Sequence, residues 1–208
     1  TIAMPVAALA EICRYSYSLF PLLARITVYG SSQYIRRKGP DQLQTLAQAG
    51  LGRIHAGVES GDDVILTRIK KGATARDHIR AGQMARAAGL EINAYVMVGI
   101  GGQERSEIHA GETARVISDM QPAVLRLRTF VPKVNTPLLA DFQSGRFQML
   151  SPHQALRETM NLLSQITTPM QVTSDHYTNY LDVAGRLLED RDAMIQALRR
   201  ALDRDEST

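Results

Sequence analysis

Apolar residues at Val6, Leu9, Ala10, Cys13, Tyr17 and Phe20 recur at helical spacing, which predicts a helix over residues 4–19, closed by Pro21. Residues 25–30 (RITVYG) are β-branched and aromatic between Pro21 and Gly30-Ser31-Ser32, and predict a strand. A short helix follows at 41–49, with Pro40 before it and Gly50 after it. Strand 53–58, a short helix at 63–69 and a longer helix at 75–88 come next, with Thr74 as N-cap and Gly89 as the closing glycine. Residues 91–98 (EINAYVMV) are almost continuously apolar, as in a strand buried on both faces, and run into Gly99-Ile100-Gly101-Gly102. A helix at 106–120, a strand at 123–130 and a loop at 132–137 complete the alternation. Beyond Leu138 the pattern changes. Ser151-Pro152 opens a helix over 151–166, and 190–201 is a charged amphipathic helix. The polar run 174–179 (SDHYTN) lies between them, and 204–208 is expected to fray.

Ala49-Gly50-Leu51 before one strand returns as Ala88-Gly89-Leu90 before the next, each after a helix, so a βα unit repeats. Apolar strands alternating with helices predict a parallel α/β sheet with right-handed crossovers and the helices outside. An open sheet and a barrel both satisfy that pattern.

Composition narrows the classes. The 208 residues suit one domain, or one domain with a tail. A net charge of +3, with bases scattered among acids, leaves no electrostatic footprint for nucleic acid, and Arg36-Arg37-Lys38 reads as a solvated loop. No apolar run approaches the roughly 20 residues that span a bilayer, and the first ten residues lack a signal-peptide pattern; the reading is a cytoplasmic protein with no membrane partner. The one cysteine, Cys13, excludes an internal disulfide and any site built from several thiolates of these residues.

Chemistry in parallel α/β folds gathers at the carboxyl ends of strands. Glu59 and Ser60 there offer acceptors for ribose hydroxyls or an ammonium, while Ser60 and Asp62 could equally cap the following helix. Gly99 to Gly102 would let backbone approach a planar group or a phosphate, but no Lys-Ser or Lys-Thr follows, so this is no Walker loop. Lys70 and Lys71 end a helix, where the dipole favours cations. His55 reads as a core or supporting residue and His78 as solvent-facing. His109 and His176 have polar neighbours but no second ligand at metal spacing on the same element. Met84, Met97, Met120, Met149 and Met160 read as packing residues.

Several of these stretches together carry a resemblance. Leu46-x-x-Ala-Gly-Leu-x-x-Ile-x-x-Gly-Val-Glu-Ser-Gly61, then Leu66-x-x-Ile-x-Lys-Gly72, Val98-Gly-Ile-Gly-Gly-Gln103 and Asn135-Thr-Pro-Leu138 are similar to the radical S-adenosylmethionine superfamily, over roughly residues 20–202. The nearest likeness is to members related to oxygen-independent coproporphyrinogen oxidases, methylthiotransferases and elongator-type enzymes. The resemblance implies a partial (β/α) barrel and two cofactors, S-adenosylmethionine and a [4Fe-4S] cluster held by a three-cysteine loop after the first strand. It implies reductive cleavage to a 5'-deoxyadenosyl radical that abstracts hydrogen from a small or macromolecular substrate. Position by position, Glu59 and Ser60 match residues near the ribose and methionine, and Lys71 a base for the methionine carboxylate. Tyr95, Met97, Gly99, Gly101 and Gly102 match the region lining the adenosine, and Thr129 the position beside the adenine. Tyr29 stands where several relatives carry an acidic ligand. His176, with Asn179, is the candidate for the substrate side of the pocket or for packing the barrel floor.

The three-cysteine motif is absent, so the expected organisation is a barrel portion at 1–138 with about four strands, lacking the first two, and a C-terminal helical extension at 139–208. That portion is either a truncated piece of an enzyme, inactive alone, or a cluster-free nucleoside-binding or structural relative. Its open sheet edge is expected to be covered by the first helix or by self-association.

Overall fold

The computed structural model describes residues 1–206. The chain alternates α1 (Val6–Leu19), β1 (Ile26–Gly30), α2 (Ser32–Gln48), β2 (Leu51–Glu59), α3 (Asp63–Arg68), α4 (Ala75–Ala87), β3 (Glu91–Val98), α5 (Gly102–Met120) and β4 (Val124–Thr129). It continues with α6 (Pro137–Gln143), α7 (Pro152–Gln165), β5 (Met170–Thr173), β6 (Gly185–Leu187) and α8 (Arg191–Leu202). The first four strands are the expected ones. Two more, β5 and β6, arise in the segment where the sequence pattern had given helices alone.

One sheet contains all six strands in the order β1-β2-β3-β4-β5-β6, parallel through β5 and antiparallel at β6. Each parallel strand lies beside its predecessor, so right-handed crossovers that always step the same way put their helices on the same face. Accordingly α2 packs on α4, α4 on α5, α5 on α7 and α7 on α8. This is barrel-type winding in a sheet that stays open, and it decides between the two architectures the pattern allowed.

Strand alternation then divides the side chains. Ile54, Ala56 and Val58 of β2, Ile92, Ala94, Val96 and Val98 of β3, and Leu125 and Leu127 of β4 are buried with the helices in one apolar core. Burying a branched side chain of this size stabilises by about 1.5–3 kcal/mol. The opposite face carries Thr27, Tyr29, Arg53, His55, Glu59, Asn93, Tyr95, Met97, Arg126 and Arg128, and it is largely polar.

Local signals set the helix ends. Thr74 and Ser151 make complete capping boxes with Asp77 and Gln154, and Asp62 caps α3 through Val64 N–H. α2 is longer than the 41–49 expected, because a helical turn from Ser32 joins it across Gly39 (φ +72°) and Pro40. The β1 edge is covered at its carboxyl end not by α1 but by the segment before it: Ile2 is fully buried and its N–H donates to Tyr29 O at 2.8 Å. At the other terminus the expected fraying does not hold for Glu206, whose carboxylate accepts from Ser151 Oγ and, at 2.7 Å, from His153 N–H. The fraying expected at 207 and 208 lies outside the described residues.

Gly61 fixes how closely α5 approaches the end of β2. A Cβ there would lie 2.3 Å from Glu112 O, a backbone atom that cannot swing away. Gly61→Ala is therefore expected to destabilise the fold by about 2 kcal/mol or more in urea unfolding; an unchanged midpoint would mean that α5 can shift freely.

Candidate functional site

The carboxyl end of β2 leaves the sheet through a register shift between Gly57 and Glu59. Glu59 takes φ +65°, a left-handed conformation that costs a non-glycine residue about 1–2 kcal/mol. The turn brings its carboxylate back over the strand, where Oε1 accepts from Lys71 Nζ at 2.9 Å. Both side chains are about one-fifth exposed. Gly57 makes room for them: a Cβ at that position would sit 2.3 Å from Glu59 Oε1 and 2.9 Å from Lys71 Nζ. Lys71 arrives because α3 ends with Lys70 in the left-handed region (φ +52°), followed by Gly72 at φ +70°. Acid and cation thus share one spot on the polar face, beside Tyr95, the register partner of Gly57.

Ser60 goes the other way. It is fully buried, its Oγ is 2.9 Å from His109 Nδ1, and it accepts from Asp62 N–H at 3.0 Å. His109 Nε2 donates to Met97 O at 3.1 Å, so Nδ1 is the acceptor and takes hydrogen bonds from the hydroxyls of Ser60 and Thr113. Burial lowers the His109 pKa to about 4, so the ring is neutral. It joins the ends of β2 and β3 to α5.

The glycine turn after β3 is anchored from α7. Glu158, 2% exposed, accepts from Gly99 N–H at 2.6 Å and from Ser106 Oγ at 2.6 Å. Desolvation pushes its carboxyl up to about 7, the two hydrogen bonds opposing that rise. Gly99 (φ +81°) and Gly102 (φ +65°) use conformations that glycine adopts freely, and Gly101 lies under Ile65, which a Cβ would meet at 2.7 Å. Glu158 was missed by sequence reasoning. A signal existed, since it falls among the buried positions Ala155, Leu156, Thr159, Leu162 and Leu163 of an amphipathic helix.

Across the polar face, Tyr29 meets His55 edge-on at 5.3 Å, and His55 Nδ1 is 3.1 Å from Tyr95 OH. Burial, with Arg53 and Arg126 nearby, lowers the His55 pKa. Thr129 stands apart from this face: its N–H and hydroxyl donate to Asn179 Oδ1 at 2.7 and 3.1 Å. Asn179 in turn donates to Leu127 O and Ser174 O, which ties the 174–179 loop to the end of β4. His176 Nδ1 lies 2.8 Å from Thr178 Oγ1, and its ring stacks on Tyr177 at 4.4 Å. Burial and then Arg128, Lys133 and Arg126 lower its pKa.

His78, expected to face solvent, is instead buried in α4 with Nδ1 2.6 Å from Ser32 Oγ. It falls one helical turn from Ala75 and Ala81 on the inward stripe, which its polarity had obscured. Glu59, Lys71, Tyr95 and Met97 therefore share the open face. Gly99, Gly101 and Gly102 form the adjoining turn, and Ser60 and Thr129 are satisfied from within the protein.

A sequence model described as the Radical SAM superfamily matches residues 5–110. Similar solved structures include the archaeal Methanocaldococcus infernus Elp3 with an N-terminal deletion, at 17% identity and a TM-score of 0.62 over 86% of this chain and 42% of that one. Coproporphyrinogen III oxidase (HemN) from Escherichia coli, a Radical SAM enzyme, matches at 18% identity and a TM-score of 0.58 over 78% of this chain and 37% of that one. Methylornithine synthase (PylB) matches at 15% and 0.51 over 97% and 64%. At these identities the likeness is one of fold. The chain spans less than two thirds of each of these relatives. No curated protein sequence matches it.

Glu158 and the two buried histidines give opposite pH signatures. The Glu158 pKa is raised from 4.5 to about 7, so its stabilising contribution is complete below about 4.5 and is lost as pH rises to about 7. Burial lowers His78 and His109 from 6.5 to about 4, so their contribution is present above 6.5 and is lost as pH falls towards 4. His109 Nε2 lies 3.5 Å from Glu158 Oε1, so Glu158→Gln removes the first effect, leaves that of His78 and alters the surroundings of His109. Its stability relative to wild type is expected to improve by up to about 3 kcal/mol between pH 4.5 and 7 and to level off above, read by denaturant unfolding across pH. A difference independent of pH would mean that Glu158 titrates normally.

Proposed function

The chain belongs to the radical S-adenosylmethionine superfamily, and we propose that it holds S-adenosylmethionine across the carboxyl ends of β2, β3 and β4 within such an enzyme. The observation that carries this reading is the Glu59–Lys71 pair held over Gly57 in a strained turn. Strain of this kind clusters where a ligand is held. In this reading the pair opens on binding: Lys71 turns to the methionine carboxylate, and Glu59 to the ribose hydroxyls or the ammonium. The Gly99–Gly102 turn takes the adenosine alongside Tyr95 and Met97. Ser60 and Thr129 act from behind, Ser60 through His109 and Thr129 through Asn179. When bound in this family, S-adenosylmethionine would supply hydrogen-abstracting chemistry after one-electron reduction by an iron–sulfur cluster; the share of the residues here is orientation and exclusion of water.

The residues here do not fit the iron–sulfur cluster. Cys13 is fully buried among Leu9 and Ala10 of α1, and burial raises its thiol pKa. Among the described residues no group of three or more His, Cys, Asp or Glu could hold a metal. The second reading is a domain that binds a nucleoside without a cluster, and the same Glu59–Lys71 cradle serves it. Among the described residues no helix is long and apolar enough to cross a membrane.

S-adenosylhomocysteine binding, measured by calorimetry, tests the cradle. Glu59→Gln and Gly57→Ala should each weaken it about ten-fold or more while leaving the melting temperature within a few degrees. Equal affinity in all three proteins would remove Glu59 and Lys71 from the site. Anaerobic treatment of this chain with iron and sulfide is expected to leave it colourless; a stable cluster would overturn both readings of the metal.

A further inference from the structure

We infer that Arg128 is the anchor for an anionic group, carboxylate or phosphate, on the molecule that meets S-adenosylmethionine at the open face; this rests on the proposed reading and names its substrate class. Three arginines project from the strands onto that face. Arg53 is paired with Glu91 at 2.7 Å, and Arg126 with Asp175. Arg128 has no carboxylate and no hydrogen-bond partner among the described residues. Its Nε is shut off from solvent and unpaired, whereas its terminal nitrogens retain access to solvent on the half-buried side chain. An unpaired buried donor is rare in folded proteins and calls for an explanation, such as a partner that arrives with a ligand.

The guanidinium is held in place for that purpose. It lies 4.8 Å from the centre of the Tyr95 ring, and the Tyr95 hydroxyl is held in turn by His55. Met97 is its register partner on β3, so Arg128 stands one strand from the nucleoside side of the face. The groups around it are mostly basic. Around His176, Arg128, Lys133 and Arg126 all oppose protonation of the ring, and the acid among its neighbours, Asp175, is taken by Arg126. A low-dielectric wall with one sign of charge concentrates anions, and a rigid guanidinium fork matches a planar carboxylate or a phosphate better than an ammonium does.

The test uses the whole chain and two probes, inorganic phosphate and malonate, followed by the Arg128 Nε–H resonance in nitrogen-15 NMR. A saturable shift is expected with at least one probe, undiminished by S-adenosylhomocysteine at saturation. Arg128→Gln should weaken the same binding about ten-fold, Arg128→Lys less, and Arg200→Gln on α8 not at all. A phosphate preference would indicate a phosphorylated substrate, and a malonate preference a carboxylic acid. An Arg128 resonance unmoved by both anions overturns the proposal, and this readout needs no variant to fold. Competition between the anion and S-adenosylhomocysteine also overturns it, by assigning Arg128 to the nucleoside's own carboxylate. Loss of S-adenosylhomocysteine binding with an intact Arg128 response would instead defeat the cofactor reading and leave the anion site standing.

Discussion

Constant handedness of the crossovers, applied to strands laid down in one direction, is the constraint from which the rest of this molecule follows. It puts α2, α4, α5 and α7 on one side, where the apolar half of each strand is buried. The other half is left without a covering layer and has to be polar. A doubly wound sheet of the same sequence pattern would have hidden Tyr95, His55 and Arg128 beneath helices. Here they line a surface that opens at the carboxyl ends of the strands, where the backbone turns are also concentrated.

Those turns are held from the helix side. Glu158 fixes Gly99, His109 fixes Ser60 and Met97, and Asn179 fixes Thr129. Each contact joins a strand end to a group from α5, α7 or the 174–179 loop, so the rims of three strands are set by two buried polar groups, Glu158 and His109, and by the half-buried Asn179. A neutral imidazole and a carboxyl with a raised pKa suit this role, because neither has to carry a full charge away from water. On the open face the logic reverses. The Glu59–Lys71 pair and Arg128 keep partial contact with solvent, which lets the pair change partners and Arg128 take one at modest cost.

Much of this was legible in the sequence. β1 to β3 announce themselves as β-branched or apolar runs closed by glycine and β4 as an alternating run before Pro132, and the caps at Thr74 and Ser151 set helix starts that side-chain hydrogen bonds then realise. What escaped had weak local signals. β5 is four residues after a proline and β6 is three residues long, so neither offers a period to read. The first turn of α2 buries only Ser32 and Ile35, and α6 buries nothing, so both lack an apolar stripe. The site was half legible for the same reason. Glu59, Lys71 and the glycines follow from strand ends and turn chemistry, whereas Glu158 and His78 are polar residues on inward helix faces and only packing reveals them.

The central claim is that a nucleoside rests where β2 and β3 leave the sheet. Backbone amide shifts in the presence of S-adenosylhomocysteine test it most directly. The account predicts shifts confined to residues 57–61, Lys71, 95–102 and the end of β4 at 128–130. Shifts gathered instead around Arg86, Gly89 and Thr168 at the amino ends of the strands, or none at saturating ligand, would contradict it.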